Sequence, residues 1–82
     1  MSTLAAVQRI IASETDLKVE ELDPARSLEG IGVDSLAVIE VMFRLEEEFK
    51  ITMPDERVPV QTVQDIANLV DRLVAERDAK RG

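Results

Sequence analysis

Residues 32–49 read GVDSLAVIEVMFRLEEEF, and the fold turns on how this stretch is laid out. At about 100° per residue from Leu36, its apolar side chains separate into two groups. Val38, Val41, Met42, Leu45 and Phe49 fall within roughly 140–240°, wide enough for a core stripe. Leu36, Ile39 and Phe43 form a second stripe at roughly 300–360°. Glu40, Glu47, Arg44, Ala37 and Glu48 occupy about 20–120°, and Glu46 lies near 280°. The period predicts a helix over 35–49, with Asp34 as its N-cap and Ser35 as its first residue. A helix in so small a chain needs only one stripe for the core. The second, rimmed by Glu40, Glu46 and Glu47, reads as a partner surface with Ile39 partly buried and Leu36 and Phe43 more exposed. The competing reading is that the preceding loop covers it.

On the N-terminal side, Ser2 or Thr3 can cap a helix over 3–14, with Leu4, Val7, Ile10 and Ile11 on one face. Residues 15–33 show no helical period and contain Pro24, Gly30 and Gly32. Leu17, Val19, Leu22, Leu28 and Ile31 are spaced through this stretch and are expected to pin it to the core. An ordered connection of this length is uncommon and often functional. On the C-terminal side, Thr52-Met53-Pro54-Asp55 ends the central helix, and residues 55–58 are expected to form a short turn of helix before Pro59. A last helix is expected over 62–77, opened by Thr62 and Asp65 as a near capping box. Val63, Ile66, Ala67, Leu69, Val70, Leu73 and Val74 give it a broad apolar stripe, and the charged tail ERDAKRG is expected to fray. No strand-like alternation is sustained. The expected fold is all-α: one domain over 1–82, a small antiparallel bundle of three main helices plus one short helix, with a long first loop.

Composition removes several classes of function. The 82 residues include no cysteine and no histidine, so disulfides, thiolate metal sites and the usual zinc or copper ligand sets are out of reach. No spacing of acids resembles a calcium loop, and no metal site is expected. The longest apolar runs, Leu4–Val7 and Leu36–Ile39, are far short of the ~20 residues of a membrane span. The first residues lack the basic and apolar regions of a signal peptide. A soluble, cytoplasmic monomer is therefore expected. The net charge of −7 is concentrated in residues 14–56, which hold thirteen acids against four bases. That sign opposes nucleic-acid binding and favours partners with basic patches.

Ser35 admits three readings. As a hydrolytic nucleophile it lacks a base, since there is no histidine and no Gly-x-Ser-x-Gly elbow. As a structural residue it simply follows the Asp34 cap. As a modification site it also has physical logic. A phosphate ester at a helix N-terminus faces unpaired N–H groups and the positive end of the helix dipole, and an enzyme acting in trans supplies the base.

The run GVDSLAVIEVMFRLEEEFKITMPDE, followed by TVQDI, resembles the acyl carrier proteins. The family pattern is a Gly-x-Asp-Ser-Leu turn opening a helix, a Glu five residues after the serine and an acidic-Phe helix end. An Ile-x-Met-Pro-Asp-Glu segment and a Thr-Val-x-Asp helix start then follow. The likeness spans essentially the whole chain. It implies that Ser35, next to Asp34, carries 4′-phosphopantetheine transferred from coenzyme A by a phosphopantetheinyl transferase that uses Mg²⁺. The chain itself would be no enzyme. The resemblance also implies that Asp34, Leu36, Glu40, Phe43 and Glu47 meet basic, partly apolar patches on partner enzymes such as acyltransferases and ketoacyl synthases, and the second stripe adds Ile39 and Glu46 to that face. Val41, Leu45, Phe49, Ile66 and Leu69 would wall a cavity for the acyl chain. Ala37 stands where primary carriers usually have an acid, Gly30 where an Asp is common, and Arg44 and Lys50 add positive charge. These departures point to a specialised carrier in fatty-acid, lipid or polyketide biosynthesis. A peptidyl or aminoacyl carrier is the alternative within the family, and an acidic helical interaction module without a prosthetic group is the alternative outside it.

Overall fold

The structure, a computed structural model, describes residues 2–52 and 60–81. Among the described residues three α-helices make the fold: α1 over Thr3–Glu14, α2 over Ser35–Phe49 and α3 over Val63–Arg81. Among the described residues there is no strand, only an isolated antiparallel bridge between Ser27 and Thr62. The small helical bundle expected from the periodicities is the observed architecture. The short turn expected over 55–58 lies outside the described residues.

Each helix begins where a side chain can hold a free N–H. Ser2 Oγ accepts from Ala5 N at 3.1 Å at the start of α1. Asp34 Oδ1 accepts from Ala37 N at 2.8 Å at the start of α2. At α3 the exchange is reciprocal: Asp65 N donates to Thr62 Oγ1 at 3.0 Å and Thr62 N donates to Asp65 Oδ2 at 3.1 Å. Gln61 N adds a third bond, to the same Oδ2, at 3.0 Å. Asp therefore completes the capping box in place of Glu or Gln. These donors hold the Asp65 carboxyl below the usual carboxylate value, the Gln61 N–H most of all, against a smaller upward push from desolvation.

The core forms where the helical stripes meet. Val7, Ile10 and Ile11 of α1 pack with Val41 and Leu45 of α2 and with Val63, Ile66, Ala67, Leu69, Val70 and Leu73 of α3. Ala6 is buried as well, so the inner face of α1 is one residue wider than the four-residue stripe suggests. α1 packs closely against both other helices, whereas α2 and α3 approach each other less.

The long connection is ordered because its backbone groups find partners. Gln8 Nε2 donates to Leu22 O at 2.9 Å, Leu28 N to Gln61 O at 2.7 Å and Gln64 N to Pro24 O at 3.3 Å. Leu22 and Leu28 are buried, and Leu17 and Ile31 are partly buried against the core. Val19 corrects the expectation. It sits on a single 3₁₀ turn, Val19–Glu21, which directs Leu22 inward and leaves Val19 42% exposed.

α3 supplies the other correction. It begins at Val63 and runs to Arg81, past the expected end at 77, so residues 76–81 of the charged tail are helical where fraying was expected. The tail is rich in good helix formers, and Arg77 within it donates from Nη1 to the carbonyl of Phe49 at the end of α2.

Candidate functional site

The candidate site is built at the first turn of α2. Glu29–Ile31 form a 3₁₀ turn that closes on Gly32, whose φ of +92° lies in the left-handed region that a side chain would resist. Gly32 N donates to Glu29 O at 3.1 Å and Val33 N to Leu28 O at 2.8 Å. This reversal buries Val33 and delivers Asp34 in extended conformation as the cap. Val33 and Val38 occupy the positions of a hydrophobic staple around that cap, fixing how the chain enters the helix. Ser35 then stands at the first helical position, exposed to solvent. The Asp34 carboxylate takes the Ala37 N–H, and the Asp34 carbonyl takes that of Val38 at 3.0 Å. The N–H groups of Ser35 and Leu36 remain at the open end, without an intrahelical acceptor.

A groove of about 670 Å³ opens beside Ser35. Its apolar lining comes from Leu28, Val33, Val38 and Val60, and Ser27, Glu29, Asp34, Ser35 and Gln61 give its polar lining. The Leu28–Gln61 hydrogen bond and the Ser27–Thr62 bridge hold the loop wall and the α3-side wall together. The groove is assembled from segments up to 34 positions apart, Ser27 to Gln61. In sequence, only Val38 could be picked out for it, at one turn from the serine on the inner side of α2. Leu28 reads there as plain core, and nothing in the pattern pointed to Val33, Val60 or Gln61.

Down the outside of α2 the second apolar stripe stays open. Leu36 is 66% exposed, Ile39 51% and Phe43 64%. Ile39, expected to be partly buried, is exposed like the other two although the most covered of the three, because the loop does not close over any of them. Glu40 and Glu47 are exposed beside the stripe. Glu46 is half-buried, and its carbonyl accepts from Lys50 N and Ile51 N. Arg44 is exposed and Ala37 is half-buried. Val41, Leu45, Ile66 and Leu69 are closed into the core with Phe49 half-buried against them. None of these five lines the groove beside Ser35.

An exposed serine at a capped helix start, with unpaired N–H groups and an apolar groove alongside, is suited to an anionic ester with a long substituent. The family comparison agrees with that chemistry. Residues 5–73 match the model of the family described as "Phosphopantetheine attachment site". The chain belongs to the acyl carrier protein family. An acyl carrier protein of Rickettsia bellii is 36% identical over 66 residues, covering 78% of this chain and 77% of the relative. One of Kocuria rhizophila is 34% identical over 74 residues, covering 88% and 91%. One of Helicobacter hepaticus is 32% identical over 73 residues, covering 87% and 96%. Members of this family carry rather than catalyse, and the prosthetic group of this carrier is 4′-phosphopantetheine. A carrier domain works with partner enzymes, synthases and transferases in general. No helix among the described residues is long and apolar enough to cross a membrane.

Proposed function

We propose that Ser35 is the attachment point of 4′-phosphopantetheine and that the chain presents acyl groups to biosynthetic enzymes that dock on α2. The observation that carries this reading is the exposure of Ser35 at the first position of α2, next to a groove lined in part by Leu28, Val33, Val38 and Val60. When bound, the group supplies a terminal thiol that holds the acyl unit as a thioester. The chain's own residues do the rest. Asp34 holds the first turn and presents the Ser35 hydroxyl, while the free N–H groups of Ser35 and Leu36 favour a negatively charged ester there. The base that removes the Ser35 proton belongs to a phosphopantetheinyl transferase using coenzyme A and Mg²⁺, since the chain has no histidine to supply one.

Leu36, Ile39 and Phe43, rimmed by Glu40, Glu46 and Glu47, form the docking face for that transferase and for acyltransferases and ketoacyl synthases. Apolar contact supplies the binding, and the acids select basic surfaces and speed encounter. Leu28, Val33, Val38 and Val60 begin a shelter for the acyl chain, with Val41, Leu45, Phe49, Ile66 and Leu69 behind them. Ala37 and Arg44 thin the acidity of the face, which supports a specialised carrier of fatty-acid, lipid or polyketide synthesis over a housekeeping one.

Incubation with coenzyme A and a broad-specificity phosphopantetheinyl transferase tests the assignment. Intact mass should rise by one phosphopantetheinyl group, and Ser35→Ala should abolish the gain. An unchanged mass, with a transferase active on other carriers, would instead favour an acidic helical interaction module without a prosthetic group. A gain that survives Ser35→Ala would place the group elsewhere.

A further inference from the structure

α2 ends in Glu46-Glu47-Glu48-Phe49, so three acids sit on the last turn of a helix whose C-terminal end already carries partial negative charge. No basic residue lies within that turn. Lys50, just beyond it, is exposed and adopts the left-handed conformation, φ 54° and ψ 48°. Its N–H bonds the Glu46 carbonyl, and Ile51 N reaches the same oxygen at 3.2 Å. The later carbonyls of a helix need partners from outside it.

α3 provides one. Arg77 Nη1 donates to the Phe49 carbonyl, across 28 positions of sequence. Asp78 holds the same guanidinium from its other edge, accepting from Nε at 3.1 Å and from Nη2 at 2.9 Å. With that edge occupied, Nη1 is left to face α2. The guanidinium thus satisfies a carbonyl and sets a positive charge at the negative end of the helix. Because α2 and α3 approach each other less than either approaches α1, this bond is one of a small set of ties between them.

We infer that Arg77 is a positioning residue for partner docking: it locks the acidic end of α2, and with it the Phe43 and Glu47 half of the docking face, to α3. The positional half of this inference stands on the geometry alone, and the docking half rests on the carrier reading. The two ends of α2 are then set independently, the start by Asp34 and the end by Arg77. Loss of Arg77 lets the last turn open and displaces Glu47 and Glu48 while leaving Ser35 in place. A tail that reads in sequence as solvated charge becomes part of how the carrier holds its recognition surface.

Amide hydrogen exchange on the full apo chain tests the positional half. In Arg77→Gln, exchange at Lys50 and Ile51 should accelerate about tenfold, the scale of one lost charged hydrogen bond. Exchange at Val38, whose N–H bonds the Asp34 carbonyl, should not change. Arg77→Lys should restore part of the protection, and Asp78→Asn should fall between wild type and Arg77→Gln. Unchanged exchange at Lys50 and Ile51, or an equal rise at both ends of α2, overturns the inference.

The docking half is read with the phosphopantetheinyl transferase as probe. KM for the Arg77→Gln apo chain should rise about threefold with kcat unchanged, the scale of a disturbed rim charge. An unchanged KM overturns it. If wild type gains no mass, the carrier reading fails, and the exchange result still decides the position of Arg77.

Discussion

The two apolar stripes of α2 are made of the same kinds of residue and have opposite fates. Val41 and Leu45 are 0% exposed, pressed between α1 and α3, whereas Leu36 and Phe43 on the outer face are 66% and 64% exposed. Residue chemistry does not separate them. Geometry does: α1 and α3 cover only one face of α2, and the loop that might have covered the other is fastened elsewhere, through Leu28 to Gln61 and Pro24 to Gln64. A small chain that keeps three large apolar side chains more than half in water forgoes a good part of the stabilisation that full burial brings, about 1.5–3 kcal/mol for a wholly exposed side chain. Such surplus is what a docking surface requires.

Substitutions along the two faces can break this contrast. The largest effect on stability is expected at Leu45, where Leu45→Ala should cost about 2–5 kcal/mol by chemical denaturation, a large share of what a domain this size holds. A loss below about 1 kcal/mol would mean that the inner stripe is loosely packed and the contrast weaker than it looks.

A smaller effect is expected where the helix facing the inner stripe begins. Asp65→Asn should lower the melting temperature at pH 7. Because the folded state holds the Asp65 carboxyl below its ordinary value of 3.8, its contribution is complete above that value and is lost as pH falls through the lower, folded one. The gap between wild type and Asp65→Asn should therefore narrow in thermal melts taken below pH 3.8. A gap that stays constant would show that the amide caps α3 differently from the acid at every pH.

The smallest effect on stability belongs to the outer stripe. Phe43→Ala and Glu40→Lys should each change stability by less than about 0.5 kcal/mol, yet Phe43→Ala should slow acyl transfer to a docking enzyme about tenfold. Circular dichroism melts and single-turnover transfer assays read the two quantities separately. If either variant melts the domain, the outer stripe is core after all.

Local rules were enough to place α2. Its cap, its period and the break at Thr52-Met53-Pro54-Asp55 are all written within a few residues, so the expected 35–49 and the observed Ser35–Phe49 coincide. The capping pair Thr62 and Asp65 likewise marks where α3 starts, because a cap is a contact between residues three apart. Val19 shows where such reasoning stops. Its side chain is as apolar as that of Leu22, and only the 3₁₀ turn between them decides which of the two faces inward. The tail shows the same limit: its charges read as fraying until Arg77 is seen to meet Phe49, a partner no local pattern announces.

The sequence by itself thus determined α1, α2 and the start of α3, the capped serine at the start of α2 and the surplus of apolar surface on that helix. These depend on backbone periodicity and on side chains within one turn of each other. Only the tertiary structure decided which stripe stays in water, that Val60 and Gln61 come to wall the space beside Ser35, and that α3 holds the far end of α2. Those outcomes need contacts across 28 to 34 positions of chain, and such contacts are set by how the packed helices fit together.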